Sequence, residues 1–215
     1  MPEPTIGCIG WGSLLWDPRS LPMAGPFRAD GPRLPIEFSR VAKDGRVTLV
    51  IDPAADAMAT WWCPMAVDTI AEAIEGLGRR ERIGPARWSE WIGWQIRDGA
   101  EIGGEGGARA GGLADPSTRA TFAEWLVSKD VDAVVWTALP ARTPDERFAW
   151  PTTEALVAHV RGLEGEARAR AEEYIRRAPT TIDSRRRRLF ESEFGWTPSD
   201  APPNAPTPGR EKEPV

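Results

Sequence analysis

Apolar positions fall in short blocks through the first two thirds of the chain and in helical stripes through the last third. Ile6-Gly7-Cys8-Ile9-Gly10 is an apolar block closed by a glycine turn, which predicts a buried strand. Residues 34–41 and 46–51 are strand-like runs flanking Lys43-Asp44-Gly45, and Asp-Gly in that setting predicts a hairpin. A further apolar run, 60–67, carries Trp61 and Trp62. The period then changes: acidic residues open a segment with apolar positions at helical spacing, which predicts a helix from Asp68, its N-cap, to about 76–80. Residues 91–97 and 133–139 read as strands, and 115–129 as a helix with Phe122, Trp125 and Leu126 on one face. After Pro151, amphipathic stretches at 152–163, 166–177 and 182–194 predict consecutive helices.

The segments between these are punctuation. Residues 17–35 are rich in proline and glycine and read as an irregular loop, and 99–112 as a mobile, glycine-rich surface loop. From residue 197 prolines dominate and little can be buried, so 197–215 is expected to be a disordered tail. Strands with one early helix, followed by a helical last third, give an α+β protein. The expected architecture is a mixed, barrel-like sheet with helices on its outside, forming one domain over 1–196 in which 152–196 is a helical extension.

Composition narrows the chemistry. The balance of 27 basic to 32 acidic residues gives a net charge of −5, which argues against a nucleic-acid surface. No apolar run approaches the ~20 residues that span a bilayer, and no basic segment followed by an apolar stretch opens the chain, so a cytoplasmic location is expected. Cys8 and Cys63 both sit in apolar runs, where they read as packed thiols in a reducing compartment. The single histidine, His159, lies in a predicted helix far along the chain from the glycine turn. Histidine triads and multi-histidine zinc sites are hard to build from that inventory, so no metal or cofactor is expected and acid/base work falls to a carboxylate.

The turn Gly10-Trp11-Gly12-Ser13-Leu14 is the first candidate site. Two glycines after a buried strand free the backbone, and successive amides can then converge on a carboxylate or oxyanion. A tight strand-end turn with no ligand is the plainer alternative. The third glycine of a dinucleotide fingerprint is missing. Arg40 and Arg46, beside the hairpin turn, are either solvent-exposed or partners for a substrate carboxylate. The run Arg185–Arg188 reads as a solvated, salt-bridged helical face. Of the eleven tryptophans most are expected to fill the core, with Trp11 and Trp16 as possible pocket walls.

Gly10-Trp11-Gly12-Ser13-Leu14-Leu15-Trp16-Asp17-Pro18 resembles the aromatic-Gly-Ser motif that ends the first strand of the gamma-glutamylcyclotransferase-like families, including the ChaC type and AIG2-like proteins. Trp11 stands where the family has tyrosine. Arg80-Glu81-Arg82-Ile83-Gly84, just past the predicted helix, is similar to the setting of the family's catalytic glutamate. Glu75 competes for that role but falls within the helix. The resemblance covers roughly residues 5–95, with 99–130 in the place of an insertion. It implies a cofactor-independent enzyme with Glu81 as general acid/base and Trp11, Gly12, Ser13 and Leu14 binding a small γ-glutamyl substrate. The implied reaction is attack of the substrate's α-amine on its own γ-carbonyl, releasing 5-oxoproline and an amine. A binding module without catalysis is the alternative on the same fold.

Overall fold

The computed structural model describes residues 4–97, 102–103 and 116–199. The expected glycine-rich loop and proline-rich tail therefore lie largely outside the described residues.

Strand β1 (Ile6–Gly10) is buried along its whole length because it has neighbours on both sides and cover on both faces. It runs antiparallel to β5 (Trp61–Pro64) and parallel to β8 (Ala133–Thr137). The order β5-β1-β8-β6-β7 makes a mixed five-stranded sheet, with β6 (Ile92–Ile96) and the short edge β7 (Ile102–Gly103) beyond β8. A second sheet, β3-β2-β4, is built from β2 (Arg33–Val41), β3 (Val47–Ile51) and β4 (Ala57–Ala59). The expected hairpin joins β2 to β3, with Gly45 at φ 85° in the turn.

The α+β class holds, but neither sheet closes into the expected barrel. The reason lies at Thr60. It is fully buried, spends its hydroxyl on Pro32 O (2.6 Å), and stands between β4 and β5, so the run read as a strand from residue 60 pairs only from Trp61 on. On one side of it β4 pairs with β2; on the other β5 pairs with β1. The bend splits the strands between two open sheets.

Helix α1 (Ile70–Arg80) packs Ala73 and Leu77 inward. Its N-cap is Thr69, one residue past the expected Asp68, because Thr69 and Glu72 complete a capping box: Glu72 N donates to Thr69 Oγ1 and Thr69 N to Glu72 Oε2. The expected strand at 91–97 begins one residue later, since residues 88–91 form a single helical turn, α2 (Trp88–Trp91). Helix α3 (Pro116–Lys129) is followed by β8 and then by α4 (Thr153–Arg161), α5 (Gly165–Arg177) and α6 (Arg185–Phe194).

Only half of the arginine run in α6 is the expected solvated face: Arg185 and Arg188 are exposed, Arg188 pairing with Asp183 (3.1 Å), whereas Arg186 and Arg187 are drawn into the protein. Arg187 is 2% exposed and donates to the carbonyls of Ala178, Pro179 and Ile182. Arg186 reaches Ser39 Oγ, Phe38 O and Pro151 O. Cys8 and Cys63 face each other as register partners across β1 and β5, both free and buried, and burial pushes the Cys63 thiol up to about 12. No helix among the described residues is long and apolar enough to cross a membrane.

Candidate active site

Strand β1 delivers the turn 10–14 to one end of the five-stranded sheet. Leu15 N donates to Gly12 O (3.0 Å) and Asp17 N to Ser13 O (2.9 Å), folding the segment back on itself. The amides of Trp11, Gly12, Ser13 and Leu14 donate to no described residue. Gly10 and Gly12 both have ordinary negative φ, so freedom of backbone rotation is not what selects them. Space selects Gly12: a Cβ there would collide with Tyr174 Oη.

Glu81 arrives from the other side. It is the C-cap residue of α1, and the helix stops there in a Schellman arrangement, Ile83 N donating to Gly78 O (2.9 Å) and Arg82 N to Arg79 O (3.0 Å). The left-handed residue this motif needs is Arg82 (φ 56°), not the nearby Gly84. The abrupt stop places Glu81 in the wall of a cavity of about 320 Å³ that is also lined by all of Gly10–Leu14. Glu75, the competing carboxylate, pairs with Arg79 one helical turn away and does not line this cavity.

Arg80 ties the two walls together. Its side chain is 3% exposed; Nη1 donates to Glu81 Oε1 (2.5 Å), Nη2 to Ser13 Oγ (3.3 Å) and Asp17 O (2.7 Å), and Nε to Asp17 O (3.1 Å). Thr137, at the end of β8, donates to the same Glu81 Oε1 (3.3 Å). Oε2 of Glu81 accepts no hydrogen bond from a described residue.

Tyr174 of α5 completes the floor. Its hydroxyl accepts from Leu49 N (3.4 Å), while Leu49 O accepts from Trp11 Nε1 (3.4 Å), so β3 holds Tyr174 and Trp11 side by side. Trp16 and Phe38 meet the Tyr174 ring edge-on at 5.5 and 6.4 Å. The phenol is buried, and burial pushes it above its ordinary range despite the Leu49 amide and the nearby Arg46. Its hydroxyl hydrogen has no acceptor among the described residues.

Arg40, Lys43, Arg46 and Arg82 also line the cavity. Arg46 is held by Asp44 (2.9 Å) and lies over the Tyr174 ring at 5.6 Å. A second cavity of about 360 Å³, walled by Trp16, Asp17, Arg19, Asp44 and Glu173 among others, meets the first at Ser13, Glu81 and Tyr174. His159 lines neither; its Nε2 lies 2.7 Å from Gly45 O. Among the described residues no group of three or more His, Cys, Asp or Glu side chains is gathered where it could hold a metal ion.

The structure thus brings Glu81 together with Trp11, Gly12, Ser13 and Leu14. Sequence reasoning missed Tyr174, and it read Arg80 only as one of three possible ion-pair partners of Glu81, with Arg79 and Arg82. Adjacent residues on a helix point in different directions, so nothing in the sequence marked Arg80 as the buried one. The signal for Tyr174 was its singularity: it is the chain's one tyrosine. Comparisons of the chain with protein-family models, with curated proteins and with solved structures returned no match.

Proposed function

We propose that the chain is a cofactor-independent cyclotransferase of the gamma-glutamylcyclotransferase type, with Glu81 as its general acid/base. One observation supports this above all: a carboxylate with an unbonded oxygen and four successive residues whose main-chain amides are unbonded line one cavity, bridged by the buried Arg80. The mixed sheet, the hairpin after the turn and the helix that ends just before Glu81 support this reading. Buried free thiols fit the reducing cytoplasm.

In this reading the turn's amides hold the γ-carbonyl oxygen, and the substrate folds so that its α-nitrogen lies against the γ-carbon. Holding both ends in one molecule removes most of the entropic barrier. Glu81 Oε2 accepts a proton from the α-ammonium, and the freed lone pair forms the ring C–N bond. Charge passes to the carbonyl oxygen, where preorganised donors stabilise it. Collapse breaks the bond to the leaving amine. Both protons shed by the α-nitrogen end on that amine, carried by Glu81 in turn, so the products are 5-oxoproline and an ammonium. No water, oxidant or reductant is consumed.

The test is release of 5-oxoproline from γ-glutamyl compounds. Turnover by the native chain and a fall in kcat of about 100-fold or more in Glu81→Gln are expected, as for loss of a general base. The amide keeps an acceptor for Arg80, so the thermal midpoint should move by only a few degrees. Undiminished turnover by E81Q would overturn the assignment. A second reading, a binding module in which Glu81 serves as the ion-pair partner of buried Arg80, is favoured by their 2.5 Å contact; it predicts ligand binding with no 5-oxoproline from either protein.

A further inference from the structure

Beyond Glu81 lie three arginines, of which Arg40 lines the cavity and Arg142 and Arg147 stand outside its lining, and none of them pairs with a carboxylate of a described residue. Arg40 Nη1 donates to Pro140 O (2.7 Å). The chain after β8 returns beside β2: Val41 N donates to Arg142 O (2.9 Å), Arg142 N donates to Ser39 O (3.2 Å), and Arg40 and Arg142 are partners in a parallel bridge. Arg142 is in turn the antiparallel partner of Arg147. Bridge partners project to the same face, so three guanidinium groups share one side of this ribbon. Arg147 lies with Cζ 5.9 Å from the centroid of Trp91, itself a cavity wall.

None of the three pairs with a carboxylate of a described residue, although Asp145 and Glu146 belong to the same hairpin. Three like charges on one face repel, and the strain registers at Arg40. Burial brings its guanidinium down to about 10, with Arg142 and then Arg147 pushing the same way and Glu81 opposing. In a chain of net charge −5, carboxylates are plentiful, yet among the described residues none is paired with these three. One guanidinium can hold one carboxylate by two parallel hydrogen bonds, so three exceed the needs of a singly charged group.

We propose that Arg40, Arg142 and Arg147 form an anion subsite next to Glu81 that takes a leaving amine bearing two carboxylates, making γ-glutamyl conjugates of dicarboxylic amino acids the preferred substrates. The inference rests on the cyclotransferase reading and extends it to the substrate's other half.

The experiment compares γ-glutamylethylamine, γ-glutamylalanine and γ-glutamylglutamate, whose leaving groups carry no, one and two carboxylates. The value of kcat/KM is expected to rise along the series, the last exceeding the second by about fivefold or more, the scale of one partly exposed ion pair. In Arg142→Gln/Arg147→Gln that ratio should fall to about one to two. These two side chains make no hydrogen bond to a described residue, so the double variant should fold, as circular dichroism would verify. Equal kcat/KM across the series, or an unchanged ratio in the double variant, would overturn the subsite. If none of the three releases 5-oxoproline, the cyclotransferase reading fails on its own. Calorimetric binding of γ-glutamylglutamate then decides the subsite: weakening by about fivefold or more in the double variant supports it, and no binding or no change overturns it.

Discussion

Gly12 and Tyr174 exclude one another's atoms. A methyl group on Gly12 would overlap Tyr174 Oη and lie 3.3 Å from Cζ. Gly12→Ala is therefore expected to destabilise the chain by about 1–3 kcal/mol, the usual cost of overpacking. Tyr174→Phe removes the oxygen that is struck, so in that background the same substitution should cost less, with a coupling of about 1 kcal/mol in a double-mutant cycle. Additive costs would mean that the two do not meet. The phenol also reports on itself, being the chain's one tyrosine. Its proton is held above the ordinary value of 10.0 in the folded state, chiefly by burial. Below that value folded and unfolded chains both carry the proton, and the linkage is silent. As pH rises past it the unfolded chain ionises first, so stability falls with pH until the folded phenol ionises too. Absorbance at 295 nm should accordingly show little phenolate in the folded chain where free tyrosine is half ionised. Half-ionisation of the folded chain near the ordinary value would contradict the burial.

At the level of elements, the end of α1 sets the position of Glu81, and it does so with a residue ill suited to the conformation. A left-handed backbone at a non-glycine residue costs about 1 kcal/mol. Arg82→Gly should thus raise the unfolding free energy by about 0.5–1 kcal/mol, net of the entropy glycine adds to the unfolded chain. A loss of stability in denaturant titration would mean that Arg82 makes a stabilising contact outweighing its strain. This helix end also marks how far sequence could be read. Glu81 was legible because a helix pattern stops just before it, and the turn at 10–14 because glycines close a five-residue apolar block. The left-handed site was not, since Gly84 offered the obvious candidate two residues on while Arg82 took the position. Nor was the bend at Thr60, because a buried threonine in an apolar run looks like any strand residue until its hydroxyl finds Pro32 O. Arg40 meets Arg142 and Arg147 only through a bridge across some hundred residues, which periodicity does not encode.

Across the whole molecule, the helical last third is part of the site's support. α5 contributes Tyr174, and α6 anchors the second sheet through polar groups buried with it. Ser184 Oγ and Arg186 N both donate to the carboxylate of Glu37, which is 7% exposed. Arg186 Nη1 also reaches Ser39 Oγ, whose own hydroxyl donates to the buried Asp52 (2.5 Å). A network of this kind stabilises only while every member is satisfied. Arg186→Met would leave Asp52 without its cation, held only by Ser39 Oγ and Ala54 N, and leave Pro151 O unpaired, at a cost of about 2–3 kcal/mol. The same connectivity dictates how the chain should come apart. Most of its tryptophans precede residue 137 and report on the sheets, while far-ultraviolet ellipticity is weighted toward the helices. If α4–α6 were an appendage, helicity would be lost first and the sheet signal later. Because Phe38 and Leu49 of the second sheet are buried together with Tyr174 and Phe190 of those helices, neither part keeps its core alone. The two signals are expected to follow one urea transition in the native chain and to shift together in Arg186→Met. Separation of the two curves in the native chain would show that the last third unfolds independently of the sheets it covers.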